Sequence, residues 1–233
     1  MKKTLIALMA LAGVASAAPL TLDTKFTDKN GNTSSYWEDI SSMSGIEMGN
    51  FDKKTITFYI EVSDLFGADS LADGYNYQLT SISWTGHTEG YFVGGSRTIT
   101  VSNGETSVSA AYPSSDTTNH KLTATFDTTL NITNTSKLTV TIETSASNEN
   151  VGMSIVDRTS ADTKAGSVTG ATWGYVNGEP AYDYVHNQIN SQMPINTKGY
   201  NDIAIRLTVI PEPATATLSL LALAGLCARR RRA

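Results

Sequence analysis

Cysteine is nearly absent from this sequence of 233 residues, because its single cysteine, Cys227, lies close to the C-terminal end. The long stretch before it therefore contains no disulfide bond and no thiol for nucleophilic catalysis or for a zinc site. A chain of this length can bury a sufficient hydrophobic core without disulfides.

Basic residues are also scarce in the middle of the chain. Six of the 17 lysines and arginines lie in the two ends, as does one of the 22 acidic residues. The middle part therefore carries 11 basic and 21 acidic residues, a net charge of −10. This balance argues against a nucleic-acid partner, which needs basic patches, and against binding to anionic lipid. It is compatible with solubility or with divalent cations.

Motifs of the common catalytic sites are missing as well. The sequence has no Gly-x-Ser-x-Gly elbow, no His-Glu-x-x-His pair and no P-loop. Asp183, His186 and Asn190 have the spacing of one helix face, but such a lone cluster does not predict a metal site. We therefore predict no catalytic residues, no metal ligands and no cofactor.

Long apolar runs occur only at the two ends. At the N-terminus, Lys2 and Lys3 precede an apolar stretch from Leu5 to Val14 and the small-residue box Ala15-Ser16-Ala17. This order predicts a secretory signal peptide, residues 1–17, that is cleaved after Ala17. The apolar stretch is too short for a transmembrane helix.

The C-terminal end, residues 211–233, has three parts in order. Pro211-Glu212-Pro213 comes first, an apolar run from Ala214 to Ala228 follows, and four arginines from Arg229 to Arg232 come last. The two prolines hold the backbone extended, as a protease cleft requires. As a helix the run is roughly 22 Å long, shorter than the about 30 Å of a helix that spans a membrane. The arginines keep the end cytoplasmic, so that the body lies on the outer side of the membrane.

This arrangement resembles the PEP-CTERM sorting signal of Gram-negative bacteria. The resemblance covers only the tail and implies that a membrane-embedded exosortase recognises Pro211, Glu212 and Pro213 and removes the segment. The protein is then a substrate of that enzyme, held at the periplasmic face of the inner membrane as a precursor and afterwards passed to the cell surface or extracellular matrix. A plain C-terminal membrane anchor is the alternative. Cys227 is either an apolar residue of the run or a lipidation site.

Between the two ends, the body of residues 18–210 is predicted to be β-structure. Strict alternation of apolar and polar residues predicts four strands, namely Thr55–Val62, Lys121–Asp127, Lys137–Glu143 and Asp202–Ile210. Weaker patterns predict seven more strands: Leu20–Phe26, Tyr77–Trp84, Gly90–Val93, Arg97–Ser102, Thr106–Tyr112, Val151–Val156 and Ala171–Val176.

Several local signals refine this prediction. The apolar residues of Tyr77–Trp84 change face, which indicates a bulge. Asn103-Gly104 between two strands predicts a type I′ hairpin turn. Helix is scarce, with short turns expected at Asp64–Ala72 and Tyr182–Ile189. About ten short strands with one apolar face predict an all-β fold, a two-sheet antiparallel sandwich that is jelly-roll-like. A short membrane helix follows it.

Aromatic residues supply the candidate binding site. Trp84, Trp173 and Tyr175 lie near strand ends, where flat rings could stack on the faces of sugars. The other interpretation is that both tryptophans belong to the core.

Three functions remain open at this point. The first is a non-enzymatic surface or matrix protein that binds extracellular polysaccharide or is embedded in it. The second is a β-sandwich polysaccharide lyase or glycosidase, which needs two carboxylates about 5 to 10 Å apart in a cleft. Its candidates are Glu89, Glu105, Glu143, Glu149 and Glu179. The third is a Ca²⁺-dependent adhesin that uses acidic loops such as Asp64–Asp73.

Overall fold

A computed structural model describes residues 18–28, 30–40, 46–50, 55–89, 96–112, 121–145, 150–156, 166–176, 179–180 and 204–212. The predicted signal peptide, the predicted strand Gly90–Val93, the predicted helical turn Tyr182–Ile189 and the tail after Glu212 lie outside these residues. Within the described ranges, no helix is long and apolar enough to cross a membrane.

The described part of the chain is almost entirely β-structure. Its single α-helix, α1, is Tyr36–Ile40, and two short 3₁₀ turns are formed by Val62–Asp64 and Ala68–Ser70. The strands are β1 Leu20–Asp23, β2 Lys25–Asp28, β3 Thr33–Ser35, β4 Ile46–Asn50, β5 Thr55–Glu61, β6 Tyr77–Glu89, β7 Arg97–Ser102, β8 Ser107–Ala111, β9 Lys121–Ile132, β10 Lys137–Thr144, β11 Asn150–Val156, β12 Gly166–Thr169, β13 Ala171–Val176, β14 Glu179–Pro180 and β15 Ile205–Pro211.

These strands form three antiparallel sheets. The first sheet has the order β1-β15-β6-β11-β4, and β9 also pairs with β6. The second sheet has the order β14-β13-β5-β10-β7-β8. The third is small and has the order β12-β2-β3. Every pairing is antiparallel, which confirms the prediction of an all-β protein.

The core lies between the first and second sheets. Ile56, Phe58 and Ile60 of β5 are completely buried, as are Ile82 and Leu207 of the first sheet, and all five belong to one apolar cluster. Side chains alternate across a strand, so the same pattern that buries one row leaves the next row on the outer face. Area removed from water at this cluster is the main stabilising contribution to the fold.

A second, smaller apolar cluster joins α1 to the body. Phe26, Tyr36, Trp37 and Ala204 are buried together, and the rings of Phe26 and Tyr36 stack with their centroids 6.3 Å apart. The N–H of Tyr36 donates to the carbonyl of Thr24 at 2.8 Å. The five-residue helix is therefore held by packing, since so short a helix is not stable alone.

The predicted strands agree with the structure over most of their length. The predicted strand Leu20–Phe26 is two strands separated at Thr24. β1 pairs with β15, whereas β2 pairs with β12 and β3. The bulge in β6 is confirmed against β15, because Val209 pairs with Leu79 and Thr208 with Ser81, which leaves Thr80 as the extra residue of β6.

The prediction of a type I′ turn at Asn103-Gly104 is wrong. Ser102 pairs with Ser107, so that the β7–β8 loop has four residues and not two. The side chain of Asn103 accepts hydrogen bonds from the N–H groups of Glu105 and Thr106, and these bonds stabilise the longer loop.

Candidate functional site

The last strand of the body delivers the predicted sorting motif to the end of the first sheet. Pro211 is the final residue of β15 and pairs with Tyr77, the first residue of β6. The N–H of Glu212 donates to the carbonyl of Asn76 at 3.2 Å. Pro213 lies outside the described residues. The first two residues of the motif therefore extend the pairing of β15 with β6 at this end of the first sheet.

Both processing points of the predicted precursor lie at this same end of the sheet. β1 and β15 are antiparallel neighbours, and Leu20 pairs with Val209. The predicted signal-peptide cleavage point precedes Leu20 by two residues, and Pro211 follows Val209 by two. Adjacent strands are about 4.8 Å apart, so the two ends leave the body side by side.

An open polar groove of about 380 Å³ is lined by the 3₁₀ region after β5 and by the β9–β10 turn. Its lining residues are Ser63, Ala68, Asp69, Leu71, Asp73, Asn134 and Thr135. The side-chain amide of Asn134 donates to the Asp73 carboxylate, which holds the two walls together. In the described residues no three histidine, cysteine or acidic side chains come together, so the acidic loop gains no support as a calcium site.

A buried ion pair fixes β1 to β15. Arg206 donates from Nε to Oδ1 of Asp23 at 2.8 Å and from Nη2 to Oδ2 at 2.7 Å. The Asp23 side chain is only 4% exposed, and it also accepts from the Ser35 hydroxyl at 2.5 Å. Arg206 Nη2 also donates to Glu38 on α1. The hydrogen bonds that Arg206 donates to Asp23, followed by the one it donates to Glu38, raise the pKa of Arg206 above its ordinary value against the opposing effect of burial.

The ring of Trp37 lies next to the same charges. The Lys121 ammonium is 4.7 Å from the ring centroid, and the Arg206 guanidinium carbon is 5.8 Å from it. Both are within the range of a cation–π contact. Burial lowers the pKa of Lys121, and the Glu38 carboxylate partly opposes that change. The charged groups of this cluster contact one another and the Trp37 ring, so we interpret the cluster as a structural clamp.

The outer face of the second sheet carries rows of hydroxyl groups, which we call the hydroxyl face. Its members are Thr55, Thr57, Thr98, Thr100, Ser102, Ser107, Ser109, Thr139 and Thr141, with Tyr59 among them. The hydroxyl oxygens of Thr100 and Ser109 lie 2.8 Å apart, and those of Thr57 and Thr141 lie 3.5 Å apart. Register places Tyr59 beside Thr139.

Charge is nearly balanced on this face. Lys137 and Glu61 form an exposed ion pair at 2.9 Å, and Glu143 is the remaining charged residue of the two central strands. The hydroxyl face therefore differs from the rest of the acidic body. Its threonines are stiff at χ1, and the sheet holds them in fixed positions.

The predicted aromatic site is not brought together by the described side chains. Trp84 has no exposed surface and packs edge-on against Tyr112, with the ring centroids 5.2 Å apart. A ring without an exposed face cannot stack on a sugar, so Trp84 is a core residue, the other interpretation of its role. For Trp173 and Tyr175 the structure describes the strand β13 but not the side chains. The exposed Tyr59 was missed, although its place in an alternating strand was a usable signal.

Of the five carboxylates considered for glycoside hydrolysis, the structure describes the side chains of two. Glu143 is exposed on the outer face of β10, as its strand pattern predicts, and Glu105 is exposed in the β7–β8 loop. Neither lines the described groove, whose two carboxylates are Asp69 and Asp73. Glu149 and the cluster of Asp183 with its neighbours lie outside the described residues. No observation on these side chains favours the enzyme.

Comparisons of the chain with protein-family models, with curated proteins and with solved structures found no match.

Proposed function

We propose that the protein is a non-enzymatic, exported protein of the cell surface or extracellular matrix, processed at its C-terminal tail by an exosortase. The observation that carries the proposal is that β15, the last strand of the body, ends at Pro211 and passes directly into the motif, the apolar run and the arginines. A signal peptide starts export, and the arginines keep the tail in the inner membrane with the body on the periplasmic side. We also propose that the two larger of the three sheets of this body pack as a jelly-roll-like sandwich.

The proposal is tested by expressing the full chain in hosts with and without an exosortase. We expect the tail to be removed only in the host that contains the enzyme. The variant Glu212→Gln removes the charge of the motif while it keeps the backbone N–H that donates to Asn76, and it should leave the precursor uncut. Glu105→Gln, which removes an exposed carboxylate in the β7–β8 loop, is the matched control and should be processed normally. Equal processing in both hosts would contradict the proposal.

We further propose that the body contacts neutral extracellular polysaccharide through the hydroxyl face. Rows of hydroxyls can donate to and accept from sugar hydroxyls, and the Tyr59 ring, which is 39% exposed, offers a surface for stacking. Because the sheet fixes these side chains in advance, little conformational entropy is lost on binding.

A glycan-binding screen of the processed protein tests this contact. Binding to neutral polysaccharide should be lost in Tyr59→Ala and kept in Tyr75→Ala, which removes a more exposed tyrosine from a loop outside the second sheet. Equal binding by both variants would show that the hydroxyl face is not the contact surface.

A further inference from the structure

Two residues of the sorting motif are already bound by the body when it is folded. The ladder between β15 and β6 continues through Ile210, opposite Gln78, to Pro211, opposite Tyr77. The bond from the Glu212 N–H to the Asn76 carbonyl extends it by one more residue. All of the backbone as far as Glu212 is therefore held in one position on the sheet.

Withdrawing this segment from the sheet breaks its pairing with β6, directly next to the core. Val209 and Leu207 immediately before it are completely buried, and β15 lies between β1 and β6. Its partner Tyr77 is buried, and the Tyr77 hydroxyl oxygen accepts a hydrogen bond from the N–H of Ala72 at 2.8 Å. Pulling Pro211 into a distant cleft would therefore disturb both strands and the turn before β6.

A sorting peptidase needs its substrate extended, with free main-chain groups on the residues that flank the bond to be cut. On the β6 side the N–H of Glu212 is already in use. Past Val209, no described residue pairs with β15 on the other side, because β1 begins at Leu20. The enzyme can therefore approach the motif from the β1 side, but the peptide bonds before Glu212 remain part of the sheet.

We propose that the chain is cut on the C-terminal side of Glu212 while the body is folded, so that Pro211 and Glu212 stay on the released protein as the end of β15. This inference rests on the proposed function. In the reaction the peptide C–N bond breaks and the acyl carbon bonds to the oxygen of water. The body gains a carboxylate, and the new amine of the tail takes the proton.

The experiment is peptide mapping of the processed protein by mass spectrometry, after expression of the full chain in an exosortase-containing host. We expect the last residue to be Glu212 or one that follows it. A last residue at Pro211 or earlier overturns the inference and leaves the proposed function intact. Absence of any processing overturns the proposed function itself.

Hydrogen exchange on the same processed protein tests the structural reason independently. The amide of Glu212 should exchange at least about fivefold more slowly than an unpaired amide, because one net backbone hydrogen bond protects it. Exchange at the rate of an unpaired chain would overturn the inference, since the sheet would then place no limit on the position of the cut.

Discussion

Removing the guanidinium of Arg206 should destabilise the body far more than removing an exposed charge. In the variant Arg206→Met the stem of the side chain is kept, but Asp23 loses both of its hydrogen bonds from the guanidinium. The Asp23 side chain is 4% exposed, so water cannot replace those bonds, and only the Ser35 hydroxyl is described as still donating to it.

The magnitude follows from the burial of the two partners. Breaking a buried ion pair by removing one member costs about 3–5 kcal/mol. Arg206 is itself 24% exposed, which reduces the effect to about 3 kcal/mol. For a body of this size, a loss of that magnitude lowers Tm by roughly 6–12 °C.

The reverse variant should cost less. Asp23→Ala leaves Arg206 charged, but the guanidinium is partly exposed and keeps its bond to Glu38. We therefore expect a loss of about 1–2 kcal/mol. The double variant should lose less than the sum of the two, because the buried carboxylate without a partner is no longer present.

The assay is urea unfolding followed by circular dichroism, with the slope m checked to be unchanged. Lys137→Met is the matched control. This variant breaks the salt bridge between Lys137, whose side chain is 77% exposed, and Glu61, whose side chain is 43% exposed. It should change the free energy of unfolding by no more than about 0.5 kcal/mol. A loss below about 1 kcal/mol for Arg206→Met, or strictly additive single losses in the double variant, would refute the reasoning.

Three further predictions concern other parts of the body. Trp84→Ala should cost about 3–5 kcal/mol in urea unfolding, because its side chain is completely buried, and a loss under about 1 kcal/mol would contradict its place in the core. Gly104→Ala should cost about 1–2 kcal/mol of unfolding free energy, because its φ of +92° is strained for any side chain. Gly67→Ala should cost more in the same assay, since its φ is +88° and a Cβ would also lie 2.8 Å from a backbone oxygen of β1. Equal losses in the two variants would argue against that close approach. Hydrogen bonds from the side chain and the backbone N–H of Asn32 lower the pKa of Asp28 below its usual 3.8, so their contribution to stability is present at neutral pH and is lost as pH falls through the lowered value. An NMR titration should show the low midpoint and its partial return toward 3.8 in Asn32→Ala, which keeps the backbone N–H. An unchanged midpoint in that variant would exclude the Asn32 side chain as a cause.

The strands with strict alternation could be predicted from the sequence because local pattern and tertiary burial agree there. In β5, Ile56, Phe58 and Ile60 are all completely buried. The prediction ended β9 at Asp127, but the strand continues to Ile132. Asp127, Thr128 and Thr129 are all exposed, so the alternation is interrupted where the register against β6 shifts.

The contacts that hold the body together across the chain had no local signal. Asp23 and Arg206 are 183 positions apart, and neither neighbourhood distinguishes a buried pair from two solvated charges. The helix α1 was missed for a related reason, since its five residues are stabilised by Phe26 and Ala204 rather than by their own propensity. The motif was visible in the sequence, whereas its attachment to Asn76 depends on the strand order.

The central place of β15 sets the order in which this protein can mature. The first sheet remains open between β1 and β6 until β15 has been made, because β15 fills that gap and follows every other described strand along the chain. Until then both neighbouring strands present unpaired backbone edges, which are prone to associate with other chains. Under the function proposed above, a tail held in the membrane would keep β15 close to the gap that it fills. Retention at the membrane would in this way assist folding of the first sheet before the tail directs sorting.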